Sequence, residues 1–229
     1  MEMTLHEKLA SALKNAEKSC VAIDQISKDN ADLTVDDAYK IQLINIEKEL
    51  AEGKKITGKK IGLTSLAVQN MLGVSTPDFG HLLDSMEVKN NTIQINTMLQ
   101  PKVEGEIAFV LRDDVKGPNA TAEDVLNATE YVAAAIEIVD SRVKDWKIKL
   151  VDTVADNASS GMYIISDKKV DPKTIDLKSL NMDLYKGDEK MNSGMGSAVL
   201  GDPAFSVAWL ANALSKYGVV LKKGEVVLS

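Results

Sequence analysis

Beyond Ile56 short β-compatible runs alternate with Gly, Asn, Pro and Asp, with no regular strand–helix–strand alternation. Ile93–Ile95, Ile107–Leu111, Ala133–Val139, Met162–Ile165 and Met182–Tyr185 read as strands. Gly187-Asp188 suits a hairpin turn. A helix capped by Thr121 is expected from Ala122 to Tyr131, and another from Phe205 to Lys216, ending at Gly218. Many short strands with few helices argue against a doubly wound parallel sheet and for an α+β chain with an irregular β-barrel or sandwich-like core.

Ahead of this region the pattern is helical. Leu5, Leu9, Ala12 and Leu13 fall at helix spacing between Thr4 and Lys18. A polar connection, Lys28 to Asp32, precedes Thr34 and Asp37, which resemble a capping box with Asp in place of Glu. The second helix should reach Ala51, with Gly53 as its stop. The expected division is an N-terminal helical part over residues 1–55 and a β-rich catalytic domain over 56–229. Glu225 to Ser229 reads as a strand just begun, so the domain is expected to continue beyond the given sequence.

Composition narrows the partners. The formal net charge of −7 argues against nonspecific nucleic-acid binding and against an anionic membrane surface. It leaves a small anionic substrate open, because one metal ion or lysine reverses the local field. The single cysteine, Cys20, excludes an intrachain disulfide framework and fits a reducing compartment. With no long apolar run and no signal-peptide pattern, the expectation is a cytoplasmic protein.

Three acidic positions are the first candidates for chemistry. Glu104 and Glu106 are two apart on an expected strand, so their side chains share a face. A solvent-facing strand edge satisfies that spacing equally well, and exposure is the usual fate of Glu. Glu137 is harder to place at the surface, since it interrupts the apolar run from Val132 to Val139. A buried carboxylate is paired, protonated or metal-bound, and Arg142 is the rival partner. With only two histidines, His6 and His81, an all-oxygen set suits Mg²⁺ or Mn²⁺ better than Zn²⁺. His6 reads as a surface helix residue, and His81 as a loop residue or one that lines a site.

Other segments stay open between structure and function. Lys59 and Lys60 lie between Gly58 and Gly62; they are two surface lysines or a grip on a substrate carboxylate. The segment lacks the phosphate-loop arrangement. Asp78, in Thr76-Pro77-Asp78-Phe79-Gly80, caps a turn or faces a pocket. The polar run from Asp152 to Gly161 is a hydrogen-bonded loop or a pocket wall.

Taken together, Gly58–Ser65, Ala67–Val74, Pro77–Gly80, Gln100–Val110, Glu137–Arg142, Asp145–Lys149 and Asp152–Ser159 resemble the hydratase and decarboxylase branch of the fumarylacetoacetate hydrolase family. Gly194–Gly201 and Val207–Asn212 add weaker support. The resemblance implies that family's irregular mixed β-barrel or β-roll core. It implies a metal site at Glu104, Glu106 and Glu137, catalytic work for Lys60 and Asp78, and a substrate pocket lined by Asp156 and Ser160. The implied activity is Mg²⁺- or Mn²⁺-dependent hydration of 2-hydroxypenta-2,4-dienoate (2-oxopent-4-enoate) to 4-hydroxy-2-oxopentanoate in aromatic meta-cleavage catabolism. The implied assembly is a homo-oligomer, with association with a 4-oxalocrotonate decarboxylase. Val68–Val74, Pro77–Gly80 and Asp145-Trp146 resemble the hydratase versions, the decarboxylase differing at the positions of Asp78 and Trp146. The alternatives are a 4-oxalocrotonate-type decarboxylase, hydrolysis of a carbon–carbon bond in an acylpyruvate, and a non-catalytic partner subunit.

Overall fold

The computed structural model describes residues 2–229. In chain order the elements are α1 (Leu5–Ser19), α2 (Val35–Ala51), β1 (Ile56–Gly62), α3 (Leu66–Leu72), β2 (Asp78–Leu83), β3 (Lys102–Leu111), α4 (Ala122–Ala128), β4 (Thr129–Val139), α5 (Leu150–Ala155), β5 (Ser160–Ile165), β6 (Asn181–Lys186), β7 (Glu189–Met195), α6 (Pro203–Ser215) and β8 (Val226–Leu228). Six strands form one mixed sheet in the order β2-β1-β8-β3-β4-β5, and β6 and β7 form a separate antiparallel pair. This is the α+β architecture expected of many short strands with few helices, and its mixed sheet is the one the family resemblance implies.

By compactness the chain divides into two units. One comprises Met1–Ile56, Asp78–Glu104 and Glu137–Ile164. Within it α1 begins at a capping box, where Thr4 Oγ accepts from the Glu7 amide and Glu7 accepts from the Thr4 amide. The same reciprocal pair starts α2 with Thr34 and Asp37. Buried Ala10, Leu13 and Ala16 of α1 and Ala38, Ile41 and Ile46 of α2 form apolar stripes, and Tyr39 stacks on Phe79 with ring centroids 4.3 Å apart. Gln42, buried in α2, donates to the carbonyls of Phe79 and Val154, tying the helix to β2 and α5.

The other unit comprises Thr57–Pro77, Gly105–Ile136 and Ile165–Ser229. Here β8 lies between β1 and β3, parallel to the first and antiparallel to the second. Gly58 allows that approach: a Cβ there would sit 1.8 Å from the Val226 carbonyl oxygen. Phe109, Leu111, Val125, Val207, Leu210, Leu221, Val227 and Leu228 are fully buried in this unit.

Several boundaries depart from the sequence pattern. Ile93–Ile95 is not a strand; a 3₁₀ turn covers Ile95–Thr97, with Ile95 69% exposed, because the two isoleucines follow a polar Asn-Asn-Thr stretch. The helix expected to reach Tyr131 ends at Ala128, where β-branched Thr129 donates to the Val125 carbonyl and opens β4. The polar run beginning at Asp152 contains α5 instead of a continuous loop, with the Asp152 carboxylate accepting from the Lys149 amide. His81 lies within β2, not in a loop.

Candidate active site

The alternation of β3 puts Glu104 and Glu106 on one face of the strand, and β4 is its neighbour in the sheet. One carboxylate oxygen from each of Glu104, Glu106 and Glu137 lies within 4.8 Å of the others. Glu104 is exposed, Glu106 half-buried and Glu137 only 1% exposed. Three like charges this close repel unless a proton or cation intervenes. An all-carboxylate oxygen set is the chemistry of a hard divalent cation, so these residues fit such an ion.

The partner expected to compete for Glu137 is engaged elsewhere. The Arg142 guanidinium donates through Nε to the Asp156 carboxylate, through Nη2 to the Asp156 carbonyl, and through Nη1 to the Ser160 carbonyl at 2.9 Å. Its amide donates to the other Asp156 carboxylate oxygen at 2.8 Å. Burial pushes the Asp156 carboxyl up to about 6, against the pull of Arg142. Both Asp156 oxygens thus face Arg142, and the pair anchors the segment leading to Ser160. Ser160, buried at the start of β5, donates its hydroxyl to Glu137 Oε1 at 3.1 Å.

A second clamp fixes where β3 begins. Asp140, three residues after Glu137, accepts from the amides of Leu99 at 3.0 Å and Gln100 at 2.7 Å. Gln100 donates to the Ser141 carbonyl, and Trp146 Nε1 donates to the Gln100 carbonyl at 2.9 Å. The Lys102 ammonium stands 4.2 Å over the Trp146 ring. Asp140 was not singled out in the sequence; its only signal was position, as a carboxylate ending the apolar strand that holds Glu137.

The basic pair of β1 divides its work. Lys59 pairs with Glu225 at 3.6 Å, while burial holds its pKa below the ordinary lysine value. Lys60, 3% exposed, aligns with Leu228 of β8, which aligns with Ala108 of β3. Aligned residues share a sheet face, so Lys60 stands on the face that carries Glu106, two residues from Ala108. Asp78 is 2% exposed at the start of β2 and accepts from Thr153 Oγ at 3.4 Å. His81 Nδ1 lies 2.9 Å from Gln42 Oε1, a polar partner on α2 with no signature in the sequence beyond its place in an apolar stripe.

The loop before Ser160 is conformationally unusual. Asn157, Ala158 and Ser159 have φ of 54°, 52° and 53°, three consecutive left-handed residues without a glycine. Such residues cost roughly 1–2 kcal/mol each and persist only where neighbours over-determine them. A cavity of about 140 Å³ in the same compact unit is lined by Lys14, Glu49, Lys54, Arg142 and Asp156, whose charges are paired with one another.

The fumarylacetoacetate hydrolase C-terminal family model matches residues 73–229, which include all three clustered glutamates. The chain belongs to the fumarylacetoacetate hydrolase family. Within this family it is 47% identical, over 99% of its own length and 85% of the relative's, to a 2-hydroxyhexa-2,4-dienoate hydratase of Comamonas testosteroni. It is 45% identical, over 96% of its length and all of the relative's, to a 2-hydroxypent-2,4-dienoate hydratase of Pseudomonas putida. Among solved structures it is similar to the 4-oxalocrotonate decarboxylase of Pseudomonas putida G7 complexed with magnesium and adipate. The TM-score there is 0.93 at 33% identity, over 100% of this chain and 88% of that one. No helix among the described residues is long and apolar enough to cross a membrane.

Proposed function

We propose that this member of the family is a hydro-lyase that adds water to 2-hydroxypenta-2,4-dienoate (2-oxopent-4-enoate), giving 4-hydroxy-2-oxopentanoate in aromatic meta-cleavage catabolism. The observation that carries the reading is the acidic cluster anchored on buried Glu137, in a chain 45–47% identical to named dienoate hydratases. Glu104, Glu106 and Glu137 hold the cation, Mg²⁺ or Mn²⁺. When bound, it supplies a Lewis-acidic anchor for the 2-oxo acid end and stabilises negative charge on the C2 oxygen.

The chain's own residues do the rest. Lys60 meets the substrate carboxylate or moves a proton; its burial favours a charge-assisted hydrogen bond to a carboxylate brought beside it. Loss of the C2 hydroxyl proton and protonation at C5 turn the dienol into a conjugated ketone; water then adds its hydroxyl at C4 and a proton is delivered to C3, with Asp78 handling the proton of that water. Ser160 steadies Glu137 at the pocket, and Asp156 shapes the same wall through Arg142. Cytoplasmic placement, homo-oligomerisation and association with a 4-oxalocrotonate decarboxylase belong to this proposal. Light scattering and co-elution with the decarboxylase test the two assembly claims.

The test is turnover of 2-hydroxypenta-2,4-dienoate by metal-free protein with and without added Mg²⁺ or Mn²⁺. Glu106→Gln keeps size and removes charge. Its loss should exceed the roughly 10–100-fold typical of changes outside the metal's immediate ligands. Full hydration by that variant in chelator-treated buffer refutes the metal role. The 0.93 structural likeness to a decarboxylase supports decarboxylation of a 2-oxo-dienedioate as the second reading. Carbon dioxide release from that substrate, with no hydration of the dienoate, decides for it.

A further inference from the structure

We infer that the left-handed turn Asn157-Ala158-Ser159 is a positioning device for the metal centre, acting through Ser160 on Glu137. The inference rests on the metal-site reading given above. The turn is pinned on one side by β2. The His81 amide donates to Asn157 Oδ1 at 2.7 Å and Asn157 Nδ2 donates to the His81 carbonyl at 2.9 Å. Gly80 leaves room for it, since a Cβ there would lie 2.4 Å from the Asn157 carbonyl oxygen. On the other side the Asp140 amide donates to the Ser159 carbonyl at 2.8 Å, and the Arg142–Asp156 pair fixes the residue just before the turn. The next residue is Ser160, whose hydroxyl donates to Glu137 at 3.1 Å.

Ala158 is the informative position, buried and in the left-handed region at φ 52°. Alanine has only a narrow left-handed basin, whereas glycine populates both hands broadly. Once its neighbours force the turn, alanine leaves the chain few nearby conformers, so the Ser160 hydroxyl is delivered to one place. A glycine at 158 relieves the strain and loosens that delivery. Stability and metal affinity should therefore move in opposite directions, which a residue serving only the fold does not do.

The experiment uses the full chain stripped of metal, with Mn²⁺ binding followed by the electron paramagnetic resonance signal of the free ion, alongside thermal unfolding. Ala158→Gly is expected to hold or raise Tm, by up to about 2–4 °C, while weakening Mn²⁺ binding roughly 10-fold. Ser160→Ala should weaken it by a similar or larger factor. The double variant should fall within about twofold of Ser160→Ala alone, because both changes act along one path. Unchanged affinity in Ala158→Gly, additive losses in the double variant, or a Tm that falls with affinity overturns the inference. If the unaltered chain binds Mn²⁺ no better than Glu106→Gln does, the metal centre itself fails and takes the inference with it.

Discussion

Glu137 and Arg142 show how far single residues are readable. An acid inside eight otherwise apolar residues announces a special environment, and the structure buries it beside Glu104 and Glu106. The sequence also offered Arg142 as its counter-charge, five positions away. That pairing does not occur, because Arg142 turns its guanidinium to Asp156 and the Ser160 carbonyl. Nothing in linear spacing separates the two outcomes; the difference lies in where residues 156–160 fold back. Asp156→Ala should therefore act on stability first, leaving a buried guanidinium without its counter-charge and costing about 3–5 kcal/mol, measured by urea unfolding at pH 7. The pH trend of the intact pair has a definite sign. Burial holds Asp156 at about 6, above its unfolded value, so its contribution favours the folded state below pH 4 and declines as pH rises from about 4 to 6. A variant as stable as the parent would remove the pair from any structural role.

Among the elements, the long periodic segments and those with capping side chains were legible. The helices after Thr34 and Thr121 begin where their caps place them, the first helix follows its apolar spacing, and the Gly187-Asp188 turn joins β6 to β7. The short elements were not. The helices Leu66–Leu72 and Leu150–Ala155 span too few turns to show a stripe; the first is set by its local caps, Ser65 and the left-handed Gly73, and the second by its packing on α2. Of the candidate site, the shared face of Glu104 and Glu106 follows from alternation and Glu137 stands out in its apolar run, whereas the face of Lys60 comes only from the β1–β8–β3 register. The Asp140 clamp and the left-handed turn come from contacts distant in sequence. At this scale Gly58 is the sharpest test. A methyl group there meets the Val226 backbone oxygen, and backbone cannot swing aside as a flexible side chain does. Gly58→Ala is expected to open the β1–β8 pairing. Hydrogen exchange should then show lost protection of amides in Lys59–Ile61 and Val226–Leu228, while α1 and α2 keep theirs. Unaltered protection across β1 and β8 refutes that geometry.

For the molecule as a whole, acid stability follows from its helix starts. Glu7, Asp37 and Asp124 each accept hydrogen bonds from a threonine three residues earlier, and those bonds hold all three carboxyls below the usual range. A depressed folded pKa gives stability that is present above about pH 4 and is lost as pH falls further. The urea midpoint should therefore drop between pH 5 and pH 3. Replacing Asp37 and Asp124 together by Asn should flatten that drop, and an unchanged slope would assign it to other carboxylates. The placement of β8 bears on how the protein is made. Gly58 and Val226 are partners about 170 residues apart. At roughly 5–20 residues per second on a ribosome, β1 and β3 wait for several seconds or longer before the strand that joins them exists. In that interval both present bare hydrogen-bonding edges, the kind of surface on which nascent chains stick to one another. Cellular yield should thus depend on how well those edges are shielded during translation as much as on the final stability of the fold.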